Sequence, residues 1–223
     1  MKQQILVWDL PVRIFHWTLA LSFAGAFLTA ESERWRDIHV LLGYIVLGLI
    51  AFRLVWGVVG TRYARFAEFV RGPAAVAGYL RRLIGRSAEH PVGHNPAGAA
   101  AILLLLVLGI ASGASGWALY QELGGDWLEE VHEFFANAML AVVFIHVAGV
   151  LVSSRLHGEN LVLAMITGRK RGEAHQAISG ARPLVALLLI ASLAGFWAWW
   201  DTNSEAPSLF TTAQAERDLN DDD

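Results

Sequence analysis

The chain contains no cysteine. That excludes disulfides, thiolate-held iron–sulfur clusters and the paired-cysteine attachment of a covalent c-type haem. Any electron-carrying group must therefore be held without a covalent bond. Charge is scarce as well: Asp, Glu, Lys and Arg make up 17% of the 223 residues, against about 25% in an ordinary soluble protein. The formal net charge of −3 says little, because the charges are segregated rather than mixed, and no nucleic-acid partner is expected. What fills the chain instead is apolar: 55% of residues are hydrophobic and the mean hydropathy is +0.45. These residues come in long blocks, which makes this an integral membrane protein associated with lipid. Nine tryptophans, many near block ends, suit anchoring at the membrane–water boundary.

Five blocks are long enough to cross a bilayer, for which about 20 apolar residues are needed. They lie near 14–30, 38–60, 97–120, 128–152 and 183–200. Asn95 and Pro96 form a helix-start signal for the third. Asp126, Glu129 and Glu130 favour a helix N-terminus at the start of the fourth. The fifth has no ionisable residue between Leu184 and Trp200. Lys2 and Arg13 precede the first block, but its length exceeds a signal h-region and cleavage would discard His16, so it reads as a span. The expected fold is all-α: a four-helix transmembrane bundle in residues 1–175, a further transmembrane helix in 176–203 and an acidic tail in 204–223.

Orientation follows from the basic residues. Arg62, Arg65, Arg71, Arg81, Arg82 and Arg86 lie between spans two and three. Arg155, Arg169, Lys170, Arg171 and Arg182 lie between spans four and five, on the same side as Lys2 and Arg13. The opposite side has only Arg34, Arg36 and Arg217. The N-terminus is expected in the cytoplasm of a bacterium, the membrane being the inner one, and the tail in the periplasm. The tail reads as solvated, with docking of a basic partner as the other use of its charge.

Four histidines fall on these apolar spans: His16, His39, His132 and His146. Ionisable residues inside hydrocarbon are costly and mark function. His132 and His146 are fourteen residues apart, so on one helix they share a face about 21 Å apart along the axis. By depth His16 pairs with His146 toward the cytoplasm, and His39 with His132 toward the periplasm. Each pair comes from two helices at one level, as two bis-histidine haems b would require. Zinc prefers three or four ligands in a tetrahedron, which pairs at separate depths do not offer. His90, His94, His157 and His175 fall in polar loops and read as solvated.

Other residues fit around that constellation in more than one way. Gly43 follows His39 by one helical turn, and Gly48, Gly109, Gly113 and Gly116 lie on spans two and three. Small residues admit either a flat porphyrin or a closely packed helix. Arg53 within span two, and Arg13, could pair with haem propionates or snorkel to headgroups. Glu130 and Glu133 could relay protons or simply charge a helix start. No residue is assigned a catalytic role.

The segment Val7-Trp-Asp-Leu-Pro-Val-Arg-Ile-Phe-His16-Trp17, His39 with Gly43, Arg53-Leu-Val-Trp-Gly57, the Gly93-His94-Asn95-Pro96 turn and the His132/His146 pair together resemble the prokaryotic cytochrome b561-like family. That family includes the cytochrome b subunit of nickel–iron hydrogenases. The resemblance spans roughly residues 5–175. It implies a haem-binding four-helix bundle, two haems b, exchange of electrons with quinone or quinol, and axial ligands at His16, His39, His132 and His146. The leading expectation is an inner-membrane cytochrome linking the quinone pool to a periplasmic redox protein such as a c-type cytochrome. Two others stay open: a quinone-linked oxidoreductase acting alone on a small periplasmic substrate, and a colourless transporter or scaffold.

Overall fold

A computed structural model describes residues 3–85 and 91–203; His90, Arg86 and the acidic tail lie outside them. The order is β1 (Gln3–Leu6), α1 (Leu10–Thr29), α2 (Arg36–Val59), α3 (Phe66–Phe69), α4 (Pro73–Ile84), α5 (Pro96–Tyr120), α6 (Trp127–His157), α7 (Leu161–Thr167), β2 (Arg169–Gly172) and α8 (Pro183–Asn203). Five of these helices, α1, α2, α5, α6 and α8, are long and apolar enough to cross a membrane. They match the five expected blocks. Their outward surfaces stay apolar, with Leu28, Phe144, Ile145 and Leu184 all more than 60% exposed. Large exposed apolar area of this kind needs an apolar surrounding, and the protein is a multi-pass, all-helical membrane protein.

The helix starts follow from local chemistry. Asp9 caps α1, its carboxylate accepting from Val12 N–H at 2.8 Å, and Pro11 occupies the first turn. Asn95 caps α5 by accepting from Gly98 N–H at 2.7 Å, with Pro96 behind it. These side chains satisfy donors that a helix leaves without partners. At its C-terminus α6 is stopped by Gly158 at φ +59°, a left-handed conformation that glycine adopts without strain.

Helix α5 lies between α2 and α6, while α1 packs on α2 and α8 on α1. Among the described residues, α6 makes no extended contact with α1 or α2. The bundle is therefore held together on the α5 side and spaced apart between α6 and the α1–α2 pair.

One end of the bundle, the N-face, is covered by a folded cap. There β1 pairs antiparallel with β2, Gln3 opposite Gly172 and Leu6 opposite Arg169. The chain after β1 is pinned by Val7 N–H and Trp8 N–H donating to Gly168 carbonyl at 2.8 and 3.0 Å. A side chain at Gly168 would lie 2.6 Å from the Trp8 carbonyl oxygen, so this approach requires glycine. Ile5, Val7, Trp8, Trp56, Tyr63, Ala64, Ala164 and Ile178 form the buried apolar centre of the cap. Helix α4 lies beside it on α5, with Val76 and Tyr79 turned inward and Arg81 and Arg82 exposed. Among the described residues, the far face has the short links around 30–35 and 121–126, whose residues are mostly exposed.

Candidate functional site: paired histidines between the helices

The far-level pair is the better defined. His39 on α2 and His132 on α6 have ring centres 6.1 Å apart and ring planes at 87°. His39 Nδ1 lies 2.8 Å from the Ala26 carbonyl oxygen, and His132 Nδ1 lies 2.9 Å from that of Ser112. Both rings donate through Nδ1, which leaves Nε2 of each with its lone pair available. A metal–imidazole bond of about 2 Å on each side of one ion separates the two ring centres by about 6 Å. The donor set, its tautomers and its spacing thus fit two axial imidazoles on one iron, with the outer nitrogens held as they commonly are at metal sites.

Glycines have divided roles here. A Cβ at Gly116 would lie 2.8 Å from His132 Cε1 and 3.1 Å from its Nδ1. Gly116 is what lets the imidazole lie against α5. At Gly109 and Gly113 the same atom would meet Ile50 at 2.6 Å and Leu47 at 2.4 Å, so these two serve the contact of α5 with α2. Gly43, one turn beyond His39, has nothing within 4 Å of where a Cβ would stand. Among the described residues no packed helix accounts for it.

At the level nearer the N-face, His16 on α1 and His146 on α6 are within electrostatic reach of one another. His16 stands edge-on to Trp17 at 5.1 Å. Its Nδ1 is buried with no hydrogen-bond partner among the described residues. Arg13, one turn before His16, donates through Nη2 to the Ile166 carbonyl, and its buried Nε has no partner among the described residues. Arg53 follows His39 by fourteen residues on α2, so it looks onto the same side of the bundle as His39, four turns toward the N-face. It is 4% exposed, and its guanidinium carbon lies 4.7 Å from the Phe66 ring and 5.8 Å from the Phe69 ring. A headgroup-seeking arginine would not be enclosed in this way.

His94 is where the sequence reading is overturned. Expected in a solvated loop, it is packed between Trp8 at 4.6 Å and Phe69 at 4.4 Å. Burial pushes its pKa down to about 3, assisted by the positive charges of Arg53 and Lys170 and by His146 and His16. Its Nδ1 is buried with no partner among the described residues. The loop is fixed at one end by the Asn95 cap and at the other by Gly93 against the Tyr63 ring, where a Cβ would lie 2.7 Å from Cδ1. The aromatic clamp comes from distant segments, and sequence proximity could not reveal it. Its one signal is the Gly93-His94-Asn95-Pro96 turn itself. His157 is half-buried at the end of α6. His175 is 73% exposed, as expected. Glu130 and Glu133 are exposed, and Glu133 accepts from Asn137 at 3.3 Å.

An apolar cavity of about 440 Å³ between α2 and α8 is lined by Tyr44, Gly48, Phe52, Leu188, Ser192 and Phe196. It contains none of the four histidines. Among the described residues no three His, Cys, Asp or Glu side chains gather as a metal site; the imidazoles stand apart from other ligand types.

A multi-pass helical bundle with imidazoles paired across its interior defines a class, that of membrane proteins built to hold a flat, axially ligated cofactor. The family model for prokaryotic cytochrome b561 matches residues 7–168. The chain belongs to that family, and it is a membrane b-type cytochrome of electron transfer, for which haem b is the implied cofactor. Similar proteins include a "Probable Ni/Fe-hydrogenase B-type cytochrome subunit" of Rhodobacter capsulatus, 24% identical over 76% of this chain and 82% of that protein. One of the same description from Rhizobium leguminosarum bv. viciae is 24% identical over 76% of this chain and 90% of its own length. Another from Azotobacter vinelandii is 28% identical over 57% of this chain and 65% of its own. No solved structure gives a significant match. Helix α8 lies beyond the matched residues.

Proposed function

We propose that the chain is a di-haem b cytochrome of the bacterial inner membrane, passing electrons between the quinone pool and a redox partner at the periplasmic face. The observation that carries this reading is the His39/His132 pair, 6.1 Å apart with both Nδ1 atoms committed to carbonyls. His16 and His146 are the axial ligands of the second haem. Bound haem supplies one-electron iron chemistry, and with both axial positions filled the site suits electron transfer rather than oxygen binding.

The chain's own residues hold, orient and shield. The carbonyls of Ala26 and Ser112 fix the rings of His39 and His132. Gly43 leaves room for the porphyrin plane beside His39. Arg53 and Arg13 offer cationic donors to propionates at the other level, where the cap excludes water. The two levels are about 21 Å apart along α6, so together they bridge most of a hydrocarbon core of about 30 Å.

The arginine-rich links support an N-face in the cytoplasm and a far face in the periplasm. There a c-type cytochrome is one fitting partner. The relatives' description makes a nickel–iron hydrogenase another. Residues 1–175 act as the cytochrome domain, with α8 as an added helix.

Haem content and reduced-minus-oxidised spectra of the purified protein test the reading. Two haems b per chain are expected, and one or none would refute it. His146→Ala is expected to remove the cytoplasmic-side haem and leave the other in part.

A further inference from the structure

Two buried side-chain nitrogens near the N-face lack partners. Arg53 Nη1 and His94 Nδ1 have no hydrogen-bond partner among the described residues. They are neighbours, because Phe69 touches both: the Arg53 guanidinium lies 5.8 Å from its ring and the His94 imidazole 4.4 Å. Buried polar groups are almost always paired, and each exception requires a reason. The carboxylates of Asp9 and Glu159 are already engaged. Asp9 accepts from Val12 N–H at 2.8 Å, Trp56 Nε1 at 3.1 Å and the Thr61 hydroxyl at 2.6 Å. Glu159 accepts from Arg171 N–H at 2.8 Å and lies 3.4 Å from Lys170 Nζ. Asp9 therefore balances the charge of Arg53 from a distance without bonding to its Nη1.

A seat with one fixed cation, one neutral N–H donor and an aromatic clamp suits a single carboxylate. His94 is within electrostatic reach of both His16 and His146, so such a carboxylate would belong to something held between those two imidazoles. We infer that Arg53 and His94 together receive one propionate of the haem at the His16/His146 level, with Trp8 and Phe69 holding the His94 ring in place. This rests on the di-haem reading above. It turns the loop before α5 into part of the binding site and ties the cap, through Trp8, to retention of the haem.

His94→Phe keeps an aromatic ring between Trp8 and Phe69 and removes the donor. Haem transfer to excess apomyoglobin resolves one kinetic phase for each haem. In His94→Phe one phase is expected to quicken by about tenfold to a hundredfold, the range for a lost hydrogen bond to a charged group. The resonance Raman band of propionate bending should shift for the same haem. Wild-type protein reconstituted with haem dimethyl ester should show the same quickened phase, and His94→Phe should add nothing further to it. Unchanged transfer and an unchanged propionate band in His94→Phe would overturn the seat. Should that variant not accumulate, the ester comparison on the wild-type chain decides alone, and equal retention of acid and ester overturns it. A wild-type protein that binds no haem at the His16/His146 level would instead remove the reading beneath it.

Discussion

Gly116→Ala is the most direct perturbation of the His39/His132 pair, because it adds one carbon to α5 and nothing to either imidazole. That carbon would lie 2.8 Å from His132 Cε1 and 3.1 Å from Nδ1. Carbon atoms rest at about 3.5 Å or more, so the ring must retreat by roughly 0.7 Å. The helix backbone cannot yield, since each of its groups is bonded within the helix. The retreat stretches the bond from Nδ1 to the Ser112 carbonyl, now 2.9 Å, out of hydrogen-bonding range. Losing that bond costs about 1 kcal/mol, and crowding at a packed position costs about 1–3 kcal/mol. Taken together, about 2–4 kcal/mol amounts to roughly a 30- to 1,000-fold loss of haem affinity at this level.

The assay is a haem count with optical spectra on protein purified in detergent. The expected variant keeps its helices by circular dichroism, keeps the haem of the His16/His146 level, and is depleted in the other. The surviving haem reports that the bundle has formed. Full occupancy of both levels with unchanged spectra would refute the claim that Gly116 makes room for an axial ligand at His132.

Gly43→Ala has no protein neighbour to meet, so the haem-free chain is expected to melt at an unchanged temperature while far-level haem is lost. Normal haem content would show that no porphyrin lies against that turn. Haem-depleted protein is expected to lose stability as pH falls below about 6.5 toward 4. The unfolded chain takes up a proton on His94 that the folded chain, with a pKa of about 3, refuses, at about 1.4 kcal/mol per pH unit. Apparent melting temperatures across that range should fall more steeply for wild type than for His94→Phe; parallel slopes would contradict the buried, neutral imidazole.

The membrane spans were legible because their signal is local. Length and hydropathy place a helix, and Asn95-Pro96 marks a start without help from elsewhere in the chain. The pairing of histidines by depth was legible for the same reason, since helical rise and alternating span direction are enough to compute it. The cap was not. Strands β1 and β2 are four residues each and pair across more than 160 positions of sequence. Lys170 reads as one more loop charge, yet it is 4% exposed beside Glu159. His94 failed the same way: its polarity and its turn suggested water, and only Trp8 and Phe69, brought over from other segments, exclude it. The glycines on α5 were ambiguous in sequence because a porphyrin, an imidazole and a leucine all call for the same missing side chain.

The two levels differ in a way that bears on the direction of electron flow. At the far level both imidazoles donate to backbone carbonyls, which in the di-haem reading would make them more basic ligands and would favour ferric iron. At the other level His16 Nδ1 has no such acceptor among the described residues, and the enclosed cation Arg53 disfavours the added charge of ferric iron. A propionate seated on Arg53 would offset part of the cationic effect, so the carbonyl bonds would set the smaller expected difference. Each is worth on the order of 1 kcal/mol, or roughly 40 mV for a one-electron couple. A redox titration of the wild-type protein is therefore expected to resolve two one-electron steps, the N-face haem having the higher potential. Gly116→Ala supplies the assignment, because the step that survives in it belongs to the His16/His146 level. If the surviving step is the lower one, the carbonyl bonds do not set the order. If it is the higher one, electrons run downhill from the far face toward the capped face, and the protein is poised to accept them from its partner rather than to deliver them.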